Sequence, residues 1–494
     1  MTTSPGTHDT EQRQSASDPI PLLLAVLPLL ILISLLALNV AIFGDDAISG
    51  ANQIILMICA AITAGLAMMY GVTWKAIEHS MVNSIRVATP AILILFVVGA
   101  LSGTWMISGI IPTMIYYGLL LLDPLFFLVS ACVISALVAV FTGSSWTTSA
   151  TIGIALISIG NVLGVSPAVV AGAILSGAYF GDKMSPLSDT TNLAAATTGT
   201  ELFTHIRYMM ITTLPSISIA LLLFLGIGLL GDGERTMPDT SAIEAALRDA
   251  LTISPWLLLV PLIVVLMIVK KVPALPAIFI GALLGGLFAL VFQYRLVASL
   301  GSGDFPAYSG LLLAAYGDTA IQTGHPVLDD LLTSAGMSGM LGTIWLIVSA
   351  MMFGGAMEGA GFLRRITEVL VNRARSAVGL VSATAGTCLF TNVSASDQYL
   401  SVVVPGRMFS SAFQNRGLAP QNLSRTLEDS GTVTSVLVPW NTCGAYHATV
   451  LGVATLSYAP FAFFCLLSPL MTIVVAALNY RVAASTAPHD QTER

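Results

Sequence analysis

The sequence predicts an all-α polytopic membrane protein of two related halves, with about 11–13 membrane segments, several of them broken or re-entrant. Three observations predict it. The 494 residues are 55% hydrophobic and only 9% charged, against about a quarter charged in soluble domains. Stretches such as Pro21–Phe43, Trp256–Val269 and Phe461–Leu478 are nearly free of charge, and a helix needs about 20 apolar residues to cross the hydrocarbon core. Polar interruptions then recur in the same order in each half of the chain.

Taken in order, residues 1–19 form a polar tail with too little positive charge for a signal peptide, and the first retained span follows at 20–43. Further apolar runs lie at 51–70, 89–110, 125–141, 147–163 and 206–230, completing a first half at 20–252. The second half, 253–480, carries runs at 253–269, 273–293, 341–361, 377–390, 431–456 and 459–480, followed by a tail at 481–494. Pieces at 112–122, 168–180 and 398–412 are too short or interrupted for simple crossings. The loop with Asp45 and Asp46 lacks basic residues and is expected outside, as is the segment Tyr294–Met340. Lys75, Arg86, Lys270, Lys271 and the cluster Arg364, Arg365, Arg373, Arg375 are expected inside, which makes both termini cytoplasmic. Cys59, Cys132, Cys388, Cys443 and Cys465 are scattered through apolar segments, without the spacing of a zinc site or a disulfide framework. No basic patch suggests nucleic acid.

The halves echo one another at an interval of about 250 residues: Gly109 with Gly361, Thr142 with Thr391, Ser176-Gly177 with Ser430-Gly431. Each half holds a Gly/Ser/Thr interruption, TGSSWTTS (142–149) or TNVSASDQY (391–399), and then a proline-broken polar helix. The broken helices are GDKMSPLSDTTN (181–192) and VPWNTCGAY (438–446). Non-helical backbone at membrane depth is tolerated where it is buried in protein or lines a watery cavity. Pro186 and Pro439 each remove a helical hydrogen bond, so carbonyls near residue 182 are expected to be free for coordination.

The donors offered there are carboxylates, hydroxyls and amides, which suit hard cations. Asp189, Asp182 and Asp397 are the candidate exchange acids and Na⁺ ligands. Ser185, Ser188, Thr190, Asn192, Ser144, Ser145, Thr147, Asn392, Ser394, Asn441 and Thr442 are candidate cation-binding groups. A buried carboxylate holds a proton or a cation but not easily both, and that competition suffices for exchange. Lys183 is expected to be neutralised by its neighbour Asp182, Glu428 and Asp429 to cap the next helix, and His447 to be a packing residue. Glu358 is either a second acid or a helix-end residue. An intramembrane hydrolase pairing Ser144 or Ser145 with His447 is the reading from another class, with a motif too short to carry it.

The strings SGAYFGDKMSPLSDTTNLA (176–194), LSRTLEDSGTVTSVLVPWNTCGAY (423–446), SDQYLSVVVPGRMF (396–409) and TGSSWTTSATIG (142–153) resemble those of the NhaC family of bacterial Na⁺/H⁺ antiporters, in the ion transporter superfamily. The resemblance implies two inverted repeats, re-entrant hairpins and a homodimer in the bacterial cytoplasmic membrane, with a transport domain moving against a scaffold. It makes TGSSWTTS and TNVSASDQY the hairpin tips, with the two broken helices facing them. It implies no cofactor, with Na⁺ (or Li⁺) and H⁺ as the transported ions and the lipid bilayer as surroundings. Some members resemble malate–proton/sodium–lactate exchangers, so an organic-acid exchanger on the same scaffold is the alternative.

Overall fold

Residues 20–43, 50–230, 240–374 and 376–484 are described in the computed structural model. The N-terminal tail, the loop carrying Asp45 and Asp46, Arg375 and the end of the C-terminal tail lie outside them. Among the described residues, seven helices are long and apolar enough to cross a membrane, or up to nine if each bent pair is one span. The expected segments beyond these are short or broken helices.

The first apolar run forms α1 (Leu22–Phe43), which packs on α2 (Ala51–Met69). Helix α3 (Trp74–Ile107) starts where the Thr73 hydroxyl accepts from Ala76 N. It ends at Ser108, and the left-handed Gly109 (φ 82) turns the chain into α4 (Ile110–Leu121). A hairpin follows. Helix α5 (Phe127–Thr142) stops at left-handed Gly143, the short α6 (Ser145–Thr148) and a π-turn at 149–153 form the bend, and α7 (Ile154–Val162) returns. Gly160 near the end of α7 packs on Phe127 at the start of α5, so the two arms run antiparallel.

Helix α8 (Pro167–Met184) breaks at Ser185, α9 (Asp189–Thr198) resumes after it, and α10 (Leu202–Leu230) is a full span. Helix α8 lies against α5 because Gly177 and Gly181 face it. A Cβ at either glycine would fall 2.0 Å from the Cys132 oxygen or 2.3 Å from the Ala136 oxygen. Small residues one turn apart permit such close backbone contact in membrane helices.

Next come α11 (Thr240–Ala250) and α12 (Leu259–Val269), part of a pair bent by 88°, and then α13 (Ala274–Phe292). Between α13 and α17 the chain builds a cap: α14 (Tyr294–Leu300), α15 (Pro306–Tyr316), strand β1 (Thr319–Ala320), α16 (Pro326–Leu331) and strand β2 (Thr333–Ser334), antiparallel to β1. Helix α17 (Leu341–Gly359) packs along α3 and α2, and left-handed Gly361 turns it into α18 (Phe362–Arg373). A second hairpin is formed by α19 (Ala377–Ser394) and α20 (Leu400–Gln414), closed at its open end by Arg416 donating to the Ala374 carbonyl at 3.2 Å. Helix α21 (Pro420–Leu427) widens into a π-turn at 428–432, breaks near Pro439, and resumes as α22 (Thr442–Leu451). The short α23 (Thr455–Tyr458) and α24 (Phe463–Ala477) complete the chain, α24 packing on α10 and α8.

The sequence echo has a local structural counterpart. At the same interval, Pro167 and Pro420 open their helices, Gly143 and Ser396 take left-handed φ of 67 and 60 at the two tips, and Gly199 and Gly452 end α9 and α22 with φ of 70 and 66. Ser188 and Asn441 cap the resumed helices by accepting from Thr191 N and Cys443 N.

Candidate functional site

The two tips and the two breaks converge on one cavity of about 640 Å³. Asp182, Asp189 and Asp397 all line it, with Ser144, Thr147, Ser188, Thr190 and Thr442 from the expected set. Its far wall is apolar, from Val87 to Ile94 on α3, and Lys271 and Pro273 stand on another side.

Each acid is held differently. Asp182 Oδ2 accepts from Ser145 N at 2.8 Å and Ser145 Oγ at 2.7 Å, so the break of the first half is fastened to its own hairpin tip. Asp397 Oδ1 accepts from Leu400 N at 2.9 Å, capping α20. Asp189 is exposed to the cavity and accepts from the Tyr399 hydroxyl of the other half at 3.1 Å. Among the described residues no Lys or Arg lies within ion-pair distance of any of the three. Asp182 and Asp397 are almost fully buried. A carboxylate so placed is neutralised by a proton or paired with a bound cation.

Six expected ligands stand behind the wall. Ser145 holds Asp182, as above. Ser185 Oγ donates to Val140 O at 2.7 Å and Ser394 Oγ to Phe390 O at 2.7 Å. Asn192 donates to Pro186 O and Ser188 O, at 3.0 and 2.7 Å. Asn392 donates to Gly431 O and Thr434 Oγ1, and its own oxygen accepts from Ser401 Oγ and Asn441 Nδ2. These groups shape the breaks and tips. Thr147 Oγ1, by contrast, is buried in the cavity wall without a partner.

Three expectations are corrected. The Asp182 carbonyl is not free, because the chain tightens so that Ser185 N donates to it at 3.1 Å; Thr191 Oγ1 likewise satisfies Lys183 O at 3.0 Å. Lys183 is not neutralised by Asp182. Adjacent helical side chains diverge by about 100°, and Lys183 turns away from the cavity to pair with Asp429. Glu428 and Asp429 do not cap an exposed helix start, since both are fully buried on the π-turn. Glu428 Oε1 accepts from Thr190 Oγ1 at 3.0 Å, and Asp429 Oδ1 accepts from Thr212 Oγ1 and Ser468 Oγ, each at 3.1 Å.

Sequence reasoning also missed Tyr399 and Gln398. Gln398 lines the cavity with its oxygen accepting from Ser435 Oγ at 3.0 Å. Glu358 is exposed on α17 and is not among the cavity-lining residues, one turn past Gly354, which packs on Ala395 beside the second tip. His447 is fully buried against the rings of Tyr179 and Tyr446, and neither of its ring nitrogens meets a hydroxyl. Neither Ser144 nor Ser145 therefore pairs with His447.

A family model described as the Na⁺/H⁺ antiporter family matches residues 177–480. Over 461 residues the chain is 38% identical to the Na⁺/H⁺ antiporter NhaC of Alkalihalophilus pseudofirmus, covering 93% of this chain and 95% of that one. It is 35% identical over 422 residues to the Na⁺/H⁺ antiporter NhaC of Bacillus subtilis, with 85% and 91% covered. It is also 35% identical over 443 residues to the malate-2H⁺/Na⁺-lactate antiporter of Bacillus subtilis, with 90% and 92% covered.

Proposed function

Because the chain belongs to the Na⁺/H⁺ antiporter family, we propose that it exchanges Na⁺ (or Li⁺) for H⁺ across the membrane by alternating access. Asp189 is the exchanging carboxylate in this reading, with Asp182 and Asp397 as supporting ligands and the hydroxyls of Ser144, Ser188, Thr190, Thr147 and Thr442 completing an oxygen shell. The observation that carries it is the convergence of three acids without basic partners on one cavity. Hydroxyl and carboxylate oxygens are the donors that hard cations take. A proton and Na⁺ then compete for the same carboxylates, and alternating exposure of the site turns that competition into antiport.

The halves 20–252 and 253–480 act as inverted repeats in this reading, in a homodimer whose termini are cytoplasmic. Lys271 stands on the cavity wall and both Lys270 and Lys271 are exposed. Basic residues at span ends favour the cytoplasm, so the cavity belongs to an inward-open form. If two protons exchange for one Na⁺, each cycle moves one net charge, worth about 2.3 kcal/mol per 100 mV.

Lys271 also motivates the second reading. It is a fixed cation on the cavity wall that a carboxylate substrate could use, as an exchanger of malate for Na⁺ and lactate would need. Three facing acids repel such a substrate, which ranks this reading second.

The test is the Na⁺-induced change in internal pH of proteoliposomes, with and without an imposed membrane potential. Flux without any organic acid, abolished by Asp189→Asn, is the expected result. Flux that begins only when malate or lactate is added would select the second reading, and full flux in Asp189→Asn would remove Asp189 from its role.

A further inference from the structure

Glu428 and Asp429, consecutive on the buried π-turn of the second half, contact opposite sides of the break in the first half. Asp429 pairs with Lys183 in the last turn of α8, and Glu428 accepts from Thr190 in the first turn of α9. The non-helical stretch at 185–188 lies between those two anchors. Each anchor directly follows a cavity acid in sequence: Lys183 follows Asp182, and Thr190 follows Asp189. Asp182 lines the cavity while Lys183 is gripped from behind, and Thr190 lines the cavity beside Asp189 with its hydroxyl donating to Glu428.

We propose that Glu428 and Asp429 are positioning residues, a two-pronged clamp across the break that sets the spacing of Asp182 and Asp189 and thereby the affinity and size selectivity of the cation site. The proposal rests on the exchange reading. The Asp429 prong is itself well fixed. Asp429 also accepts from Thr212 and Ser468, Arg425 Nε lies 4.0 Å from its other oxygen, and the Lys183 ammonium stands 5.7 Å from the Phe464 ring centre. Consecutive helical side chains diverge by about 100°, which lets two neighbours on one turn reach two separate anchors.

The experiment measures proton flux against Na⁺, Li⁺ and K⁺ concentration in proteoliposomes of the full chain, each variant first checked as monodisperse. Glu428→Ala removes the Thr190 contact, and the KM for Na⁺ is expected to rise roughly 10–100-fold, as when groups supporting a metal ligand are lost. Its maximal rate is expected to change little while discrimination against K⁺ narrows. Glu428→Gln keeps an oxygen for Thr190 and is expected to retain the wild-type KM. An unchanged KM in Glu428→Ala, or equal losses in the Ala and Gln variants, would overturn the clamp. Where Glu428→Ala does not fold, Lys183→Met/Asp429→Asn opens the other prong while removing Lys183 together with its counter-ion; a raised KM supports the clamp and a wild-type KM overturns it. No Na⁺-dependent flux from the wild-type chain would instead overturn the exchange reading beneath it.

Discussion

The two broken helices share a backbone design and differ in where they carry charge. At matched positions Asp182 stands opposite Ser435 and Asp189 opposite Thr442, while at the hairpin tips Ser144 stands opposite Asp397. At each of the three cavity acids, the other half places a hydroxyl. One contact is even repeated with its roles reversed. In the first half the Ser145 hydroxyl of the tip donates to Asp182 of the break; in the second half the Ser435 hydroxyl of the break donates to Gln398 of the tip. The same local geometry of a break and a tip thus carries a different charge pattern in each half, so that three acids surround one cavity instead of six crowding it. The second half holds two further buried acids, Glu428 and Asp429, a turn or more away from its own break and turns them toward the break of the first half.

The comparison can be broken experimentally, beginning where the effect is largest. Asp429→Asn strands Lys183 without a counter-ion and is expected to destabilise the protein by about 3–5 kcal/mol, as losing one partner of a buried pair does. Lys183→Met/Asp429→Asn is expected to recover most of that in thermal unfolding in detergent. Next, Asp182→Asn is expected to reduce Na⁺-driven proton flux by roughly 100-fold or more, beyond the losses typical of merely supporting groups. Equal losses in Asp182→Asn and the matched Ser435→Ala would dissolve the distinction between charged and neutral breaks. At the tips, Gly143→Ala meets both a left-handed backbone and a Cβ only 2.7 Å from the Leu187 carbonyl carbon, so a loss of about 1–2 kcal/mol or more is expected. Ser396→Gly removes a side chain whose hydroxyl has no partner, and its unfolding midpoint is expected to stay level or rise. Smallest of all, Ser435→Ala removes one hydrogen bond to Gln398 and is expected to cost about 0.5–1.5 kcal/mol.

Much of this was legible in the sequence, for identifiable reasons. Apolar runs without charge locate spans, and α1, α2, α13 and α17 begin and end close to where the runs do. The breaks were legible because Pro186 and Pro439 interrupt helices at polar stretches, and the three aspartates because an acid in an apolar chain stands out. What the chain order hides is the choice of partner. Asp182 is the covalent neighbour of Lys183, yet the ion pair forms with Asp429, 246 residues away. Glu428 and Asp429 sit just before an apolar run, and hydropathy cannot distinguish the exposed start of a helix from a π-turn packed between α10, α19 and α24. Asn441 offers the same amide oxygen in sequence whether it binds an ion or caps a helix, and its bond from Cys443 N decides for capping, while Asn192 spends its amide nitrogen on the Pro186 and Ser188 carbonyls. Tyr399 carried no signal beyond following Asp397, since its contact with Asp189 joins the two halves.

The width of the cavity bears on how the protein responds to solvent as well as to ions. A volume of about 640 Å³ has room for roughly twenty waters at ~30 Å³ each, far more than the coordination shell of one small ion. On the alternating-access reading, sodium then keeps its hydration until it reaches the carboxylates, and closing the cavity expels the water it holds. A polymer too large to enter is expected to favour the emptied form, so that turnover at fixed ion gradients varies with osmotic pressure.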